Sequence, residues 1–258
     1  SDLIYGYKRV KTPMSAAFRA LNAEPEVSEP KIERIVTKVA ILSNAWKLDR
    51  VAKEAAPDLY QLHLEESKNA IIRKFNATLI AGDTAKDDKG FDGLAKAVKG
   101  TSTEMTSAVD LSMIDQKAAL AFAEEMDTLL SLLMRTPDVL LVSPTMKTKI
   151  NAICRVLGIS NVTADTAGHR VTTWDGIRIE ELRDGALTTN DVYAVCLGMD
   201  AFHGVTLKGG SSIAIHLPNW DDPGAVKTGD AEFVCGCALK ATKAAGVLHP
   251  MAAAPASK

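Results

Sequence analysis

No apolar run reaches the roughly eighteen residues that a membrane-spanning helix needs. The opening residues SDLIYGYKRV also lack the apolar middle of a secretion signal, so synthesis in the cytosol is the expectation. Cysteine is scarce. Cys154, Cys196, Cys235 and Cys237 have neither the count nor the CxxC spacing of a disulfide framework or a zinc site, which makes them reduced core thiols. Cys235 and Cys237 stand two apart in an expected strand and share a face, so a soft-metal pair is the alternative reading there. A surplus of positive charge is missing as well. With 30 Lys and Arg interspersed among 32 Asp and Glu, the net charge is -2, without the basic excess of a protein that grips nucleic acid through its phosphates.

The common catalytic signatures are absent too. GxGxxG, GxxxxGK followed by Ser or Thr, GxSxG and HExxH do not occur, which removes the usual nucleotide-binding, serine-hydrolase and zinc-protease readings. His63, His169, His203, His216 and His249 are scattered, and none has a His or carboxylate partner at metal-ligand spacing. Asp87-Asp88 and Asp221-Asp222 lie in polar loops, where solvation explains them better than an acid-base pair with one member buried. Trp174-Asp175 resembles a propeller signature, but no repeat of about forty residues accompanies it. No catalytic, cofactor-binding or metal-binding residue is therefore assigned.

What is present is a chain of 258 residues with 47% hydrophobic content, enough for one large domain or two small ones. Its most regular stretch is 57–82. Pro57 opens a helix, Asp58 favours its positive end, and Leu64, Ile71, Phe75 and Leu79 recur at helical spacing until Gly82 closes it. About twenty-four residues at 1.5 Å rise make a rod of roughly 36 Å, longer than one compact core requires.

Before that rod, Tyr5, Tyr7 and Val10 alternate as a strand, and Pro13, Pro25 and Pro30 then interrupt regular structure. This segment has too few large apolar residues to bury itself, so an extended arm is expected. The β-branched residues of 31–42 continue it as a strand, and Ser43 or Asn44 would cap a short helix holding Trp46, Leu48, Val51 and Ala55. After Gly82, the clustered Gly and Asp of GDTAKDDKGFDGLAKAV mark a solvated loop without the ligand pattern of a calcium loop. A second long helix is expected over 110–134, followed by a buried strand over 139–142, a helix over 145–157 and a stop at Gly158. Strands over 174–182 and 192–197 flank a turn at Asp184-Gly185. Two more, 202–207 and 213–217, join at Lys208-Gly209-Gly210; a last strand spans 232–247, and the tail MAAAPASK reads as disordered.

In order and spacing, these pieces resemble the HK97-fold major capsid proteins of tailed bacteriophages. The resemblance rests on the arm, the early Trp46, and the long helix closing at Gly82-Asp83 ahead of GFDGLAKAV. It continues through PDVLLVSPTMKTKINAI, GIRIEEL and DVYAVCLGMDAFHGVTL to the final EFVCGCALKATKAAGVLHPMA, and so covers nearly the whole chain. It implies an α+β, HK97-like capsid fold with an extended loop over 1–42. A peripheral domain would combine 43–83, including a spine helix over 58–81, with 205–258, and an axial domain would span 84–204.

The function implied is a structural subunit, not an enzyme, that self-assembles into pentamers and hexamers of an icosahedral shell enclosing phage DNA without sequence-specific binding. The implied partners are copies of itself and scaffold, portal and decoration proteins, with no membrane and no cofactor. The location would be the virion capsid, assembled in the host bacterial cytoplasm. Two departures stand out. The sequence starts at the extended loop itself, with no arm ahead of it. Glu24-Pro25-Glu26 also stands where family members that crosslink neighbouring subunits want a Lys, and the last strand reads FVCGC without a Glu, so no covalent crosslinks are expected. An encapsulin, a protein compartment of the same fold, is the nearest rival, although no inner N-terminal helix is visible before residue 30. A metabolic α/β enzyme with a mobile flap is the rival from another class.

Overall fold

The alternation seen at the start of the sequence becomes a two-stranded antiparallel ribbon. In the computed structural model, which describes residues 3–12, 14–164, 168–207 and 213–251, β1 (Ile4–Thr12) pairs with β2 (Lys31–Lys38) in a register running from Ile4–Lys38 to Thr12–Lys31. Buried Val39 interrupts the expected single strand of 31–42. Its N–H donates to the Leu3 carbonyl at 2.8 Å, and the chain then enters β3 (Ala40–Asp49).

The short helix expected around Trp46 and Leu48 is corrected here. Both side chains are buried at alternate positions of β3, which pairs antiparallel with β12 (Val226–Leu239) along ten residues. This long ladder overrides the local capping preference of Ser43 and Asn44. Helix α1 (Arg50–Ala55) begins only afterwards, where the Asp49 carboxylate accepts from the Val51 N–H at 2.8 Å.

Helix α2 (Pro57–Ala81) is unbroken over 25 residues, with Asp58 in its first turn. Ile71 is buried against Trp46 and Ala231, Phe75 meets Phe233 edge-on at 5.4 Å, and Leu79 and buried Ile80 reach the next core. Polar side chains fasten it as well. Ser67 Oγ donates to Asn44 Oδ1 at 2.6 Å, and Asn44 Nδ2 donates back to the Ser67 carbonyl at 3.0 Å, fixing the helix across β3.

The helix ends where the chain crosses itself. The Gly93 N–H donates to the Gly82 carbonyl at 2.9 Å, and a Cβ on Gly93 would lie 2.5 Å from the Thr78 carbonyl oxygen and 2.7 Å from the Gly82 nitrogen. No side chain fits there. Beyond it run α3 (Leu94–Val98), β4 (Glu104–Thr106) and α4 (Gln116–Leu132). The last is shorter than the 110–134 expected, because Asp115 caps it by accepting from the Ala118 N–H at 2.7 Å, while Asp110 instead turns the chain by accepting from the Ser112 N–H at 2.8 Å.

Then follow β5 (Val139–Val142), α5 (Pro144–Leu157), β6 (Val162–Ala164), β7 (Arg170–Trp174), β8 (Ile177–Glu181) and β9 (Val192–Val195). The single strand expected over 174–182 is a hairpin of β7 and β8, turned at Asp175-Gly176. Both turn residues have positive φ, 46° and 79°, as a two-residue hairpin of the I′ kind requires. Strands β10 (Phe202–Val205) and β11 (Ala214–His216) pair with β12, while the expected junction Lys208-Gly209-Gly210 and residues 252–258 of the tail lie outside the described residues.

The final strand expected over 232–247 divides. β12 ends at Leu239, a short 3-10 turn at Thr242–Ala244 redirects the chain, and β13 (Ala245–His249) enters a different sheet, so it lies with the strands of 84–204 and not with the rest of 205–258. That seven-stranded sheet has the order β4-β13-β9-β5-β8-β7-β6, parallel at β4/β13 and β5/β8 and antiparallel elsewhere.

Its central strands are covered on both sides. Leu140, Val142, Val192, Ala194 and Leu248 face the core under α4 and α5, among Phe122, Met126, Met146 and Ile150. Val139, Tyr193, Val195 and Val247 face the opposite core, with Ile80, Phe91, Leu94 and Leu239. Burial on both faces is why these strands read as continuous apolar runs. The second core joins the two sheets, so α2, β12 and the seven-stranded sheet share apolar contacts.

Candidate functional site

The arm is rooted by its inward face. On β1 and β2, Tyr5, Tyr7, Ile35 and Thr37 alternate toward the body, where the Tyr7 hydroxyl donates to the Leu239 carbonyl at 3.0 Å and the Tyr5 ring meets His203 edge-on at 5.9 Å. Burial raises the Tyr7 phenol above the ordinary tyrosine value, although its bonds to Thr37 and Leu239 and the charge of Arg9 oppose the rise. Burial, with the charge of Lys240, lowers the His203 imidazole. At the root, the Lys38 ammonium donates to the Asp88 carbonyl, tying the ribbon to the loop after α2.

Past Thr12 and Lys31 the ladder stops but the register persists. The Ser15 N–H and hydroxyl donate to Ser28 Oγ at 2.9 and 3.1 Å, and the chain turns at 20–23, where the Ala23 N–H donates to the Ala20 carbonyl and Asn22 takes φ 65°. Residues 3–12 and 14–38 therefore form the two sides of one hairpin. Phe18, Leu21 and Val27 near its tip keep 110%, 90% and 92% of their exposure, so they have no apolar partner within the described chain. The outward face of the root carries Ile4, Val10, Ile32 and Val36, all more than half exposed, with Lys8 and Arg34 between them. Apolar surface concentrated on one projecting element marks an interaction surface.

Cys235 and Cys237 do share a buried stretch of β12, where burial first pushes their thiols up to about 11 and about 12, and Cys237 Sγ donates to the Asp92 carbonyl at 3.2 Å. Thiols so protonated are weak ligands and nucleophiles. Among the described residues no group of three or more His, Cys, Asp and Glu side chains is arranged to hold a metal ion. Asp87 turns its own loop by accepting from the Lys89 N–H, and Asp222 accepts from Asn219 Nδ2.

One polar cluster escaped sequence reasoning. His249 on β13 meets Asp191 Oδ1 through Nδ1 at 2.9 Å and Glu104 Oε1 through Nε2 at 3.3 Å, although these partners lie 58 and 145 positions away in sequence. No spacing rule finds such a set; only the pairing of β13 with both β4 and β9 assembles it. Glu104 also accepts from the Gly100 N–H at 2.6 Å, the main cause of its lowered carboxyl, and burial followed by the Asp191 and Glu104 charges drives the neighbouring Tyr193 phenol upward. Both ring nitrogens meet carboxylates, and with Gly100 and Thr189 donating to Glu104 and Asp191 the cluster clamps β4, β13 and the residue leading into β9 together. A cavity of 260 Å³ beside Trp174 is lined by Asp127, Asp175 and Cys154, whose thiol burial raises.

No protein-family model matches the chain, and no curated relative does. Solved structures do. The SrpI encapsulin complex from Synechococcus elongatus PCC 7942 is similar over 95% of this chain and 81% of its own, with TM-score 0.61 and 16% identity. A structure from Mycobacterium phage Bobi is similar over 97% and 86%, with TM-score 0.69 and 12% identity. The capsid of Myoviridae phage XM1 is similar over 96% and 86%, with TM-score 0.62 and 12% identity. The fold of this chain is the HK97-like capsid fold, α+β in class.

Proposed function

We propose that the chain is a structural shell subunit, the major capsid protein of a tailed bacteriophage, and not an enzyme. The observation that carries this reading is the hairpin arm, residues 3–12 and 14–38, on a capsid-type fold. Its tip exposes Phe18, Leu21 and Val27, which a free monomer leaves in water. Surface of that kind is ordered by a partner, and a neighbouring copy supplies one in a shell. In this reading the arm is the extended loop. The spine helix α2 with β3, β10, β11 and β12 forms the peripheral part, and the seven-stranded sheet with α4, α5 and β13 forms the axial part around five- and six-fold axes. Repeating one contact set under point-group symmetry closes the container.

The shell would enclose DNA without reading its sequence, in keeping with the net charge of -2. Scaffold, portal and decoration proteins would be its other partners, the virion capsid its location and the host bacterial cytoplasm its place of assembly. Among the described residues no helix is long and apolar enough to cross a membrane. The likeness to the SrpI complex supports a second reading, an encapsulin-type compartment. Electron microscopy of purified particles decides. Large icosahedra, empty or DNA-filled, support the capsid; small protein-filled shells support the compartment; discrete small oligomers overturn both.

A further inference from the structure

Between the outward face of the arm root and the corner joining β12 to β13 lies an open groove of 890 Å³. Lys8, Lys240 and Lys243 line it with Val10 and Met199, and Asp200 is its one carboxylate, which leaves three positive charges against one negative. Among the described residues none of the three lysines has an ion-pair partner, and Val10 and Met199 are 55% and 69% exposed. The groove is a cationic trough with an apolar floor.

The arm tip has the opposite character. Glu24, Glu26 and Glu29 are all exposed around exposed Val27, and 14–30 contains no lysine and one arginine, Arg19, whose guanidinium is turned back onto the Ala20 and Ala23 carbonyls. Two prolines, Pro25 and Pro30, hold this side of the tip extended. The tip cannot reach the groove of its own chain. Lys8 and Val10 belong to the ladder at the other end of the same hairpin, before the register shift between Val10 and Thr12, and the Ser15–Ser28 contact holds the tip strands away from them.

We propose that the acidic tip segment 24–29 of one copy docks in the Lys8, Lys240 and Lys243 groove of a second copy. This rests on the shell-subunit reading and names the surface that receives the arm. Because tip and groove are different surfaces, the contact is head-to-tail, the kind that closes into rings when the rotation per step divides a full turn. Val27 would settle on the Met199 and Val10 floor while the glutamates meet the lysine ammoniums, so that charge sets the register and apolar burial the lifetime.

The test uses assembled particles built from equal parts of unlabelled and nitrogen-15-labelled full-length chain, treated with a zero-length carbodiimide that joins touching Lys and Glu side chains as amides. Mass spectrometry is expected to find Lys240 or Lys243 joined to Glu24, Glu26 or Glu29 in mixed light-heavy pairs. Particles in which these pairs are absent, or are only light-light and heavy-heavy, overturn the docking and leave the shell reading standing. Chains that form no particles under any condition overturn the shell reading and the docking with it. A charge exchange supplies the second arm. Lys240→Glu with Lys243→Glu, and separately Glu24→Lys with Glu26→Lys, should each cut the assembled fraction at least tenfold, and the four changes together should restore it. All four side chains lie outside the cores, so the monomer fold survives them; failure of the combined variant to recover assembly counts against the proposal.

Discussion

The Tyr7 hydroxyl on the arm donates to the carbonyl of Leu239, the last residue of β12, at 3.0 Å and across 232 positions of sequence. The bond joins the projecting arm to the end of the 14-residue strand β12, and Leu239 itself is buried in the core shared by the two sheets. Tyr7→Phe keeps the ring and removes the donor. The expected loss is about 0.5–1.5 kcal/mol, the net worth of one such bond. Hydrogen exchange of the isolated subunit should then quicken on the order of two- to tenfold across Ile4–Thr12 and Lys31–Lys38. Protection in β5 and β9 should stay as it was. Equal loosening of both regions would mean that the bond supports the whole fold and not the arm root.

A second prediction concerns the crossing at the end of α2. Gly93→Ala would place a methyl group 2.5 Å from the Thr78 carbonyl oxygen, against backbone that cannot swing away. Overpacking of this kind costs about 1–3 kcal/mol. Gly204→Ala is the matched control, because a Cβ there meets nothing within 4 Å. Urea unfolding should show the first variant clearly weakened and the second within about 0.5 kcal/mol of the parent.

These two sites also show where sequence reasoning reached and where it stopped. Helix α2, strand β5 and helix α5 were legible because each carries its own start signal, period and stop within one segment. Asp49, in contrast, does not stand out as the cap of α1, since Ser43 and Asn44 offer the same chemistry earlier. Only the pairing of Trp46 with Gly229 and its neighbours on β12 decides in favour of strand. The division of 232–247 was hidden for a similar reason: the C-terminal half of β12 and β13 are both apolar and buried, and the turn at Thr242–Ala244 has neither Gly nor Pro to mark it. The His249 clamp and the lysine groove depend on side chains brought together by sheet order, which no local pattern records.

Acid should act on the loop after α2. Lys96 Nζ bridges Asp83 at 2.7 Å and Asp92 at 2.9 Å. The Lys96 bond chiefly lowers the Asp83 carboxyl; for Asp92, burial raises it, but the bonds from Lys96 and Thr84 outweigh burial and the net shift is again down. A carboxyl lowered in the folded state adds stability that is fully present above its ordinary value, 3.8 for both, and is lost as pH falls through the still lower folded value. The melting-temperature gap between the parent and Lys96→Met should therefore be open at neutral pH and close below about pH 4. A gap that widens on acidification would contradict the assignment.

The last prediction returns to the arm. Residues 14–30 contain no lysine, so the tip offers no amine for an isopeptide bond to a neighbour. Exposed Glu232, the first residue of the expected strand, lies well inside β12, which begins at Val226, so the strand does carry a carboxylate beside FVCGC. A carboxylate base without a nucleophile makes no bond, and the expectation now rests on the tip alone. Assembled particles boiled in detergent should run as a single band at the 27.5 kDa mass of one chain. Their stability should instead be that of a noncovalent, partly electrostatic interface, so moderate salt should speed their dissociation where a crosslinked shell would not respond. A ladder of multimers on the denaturing gel would refute this and direct attention to lysines of the arm root, Lys8 and Lys31, as the amines.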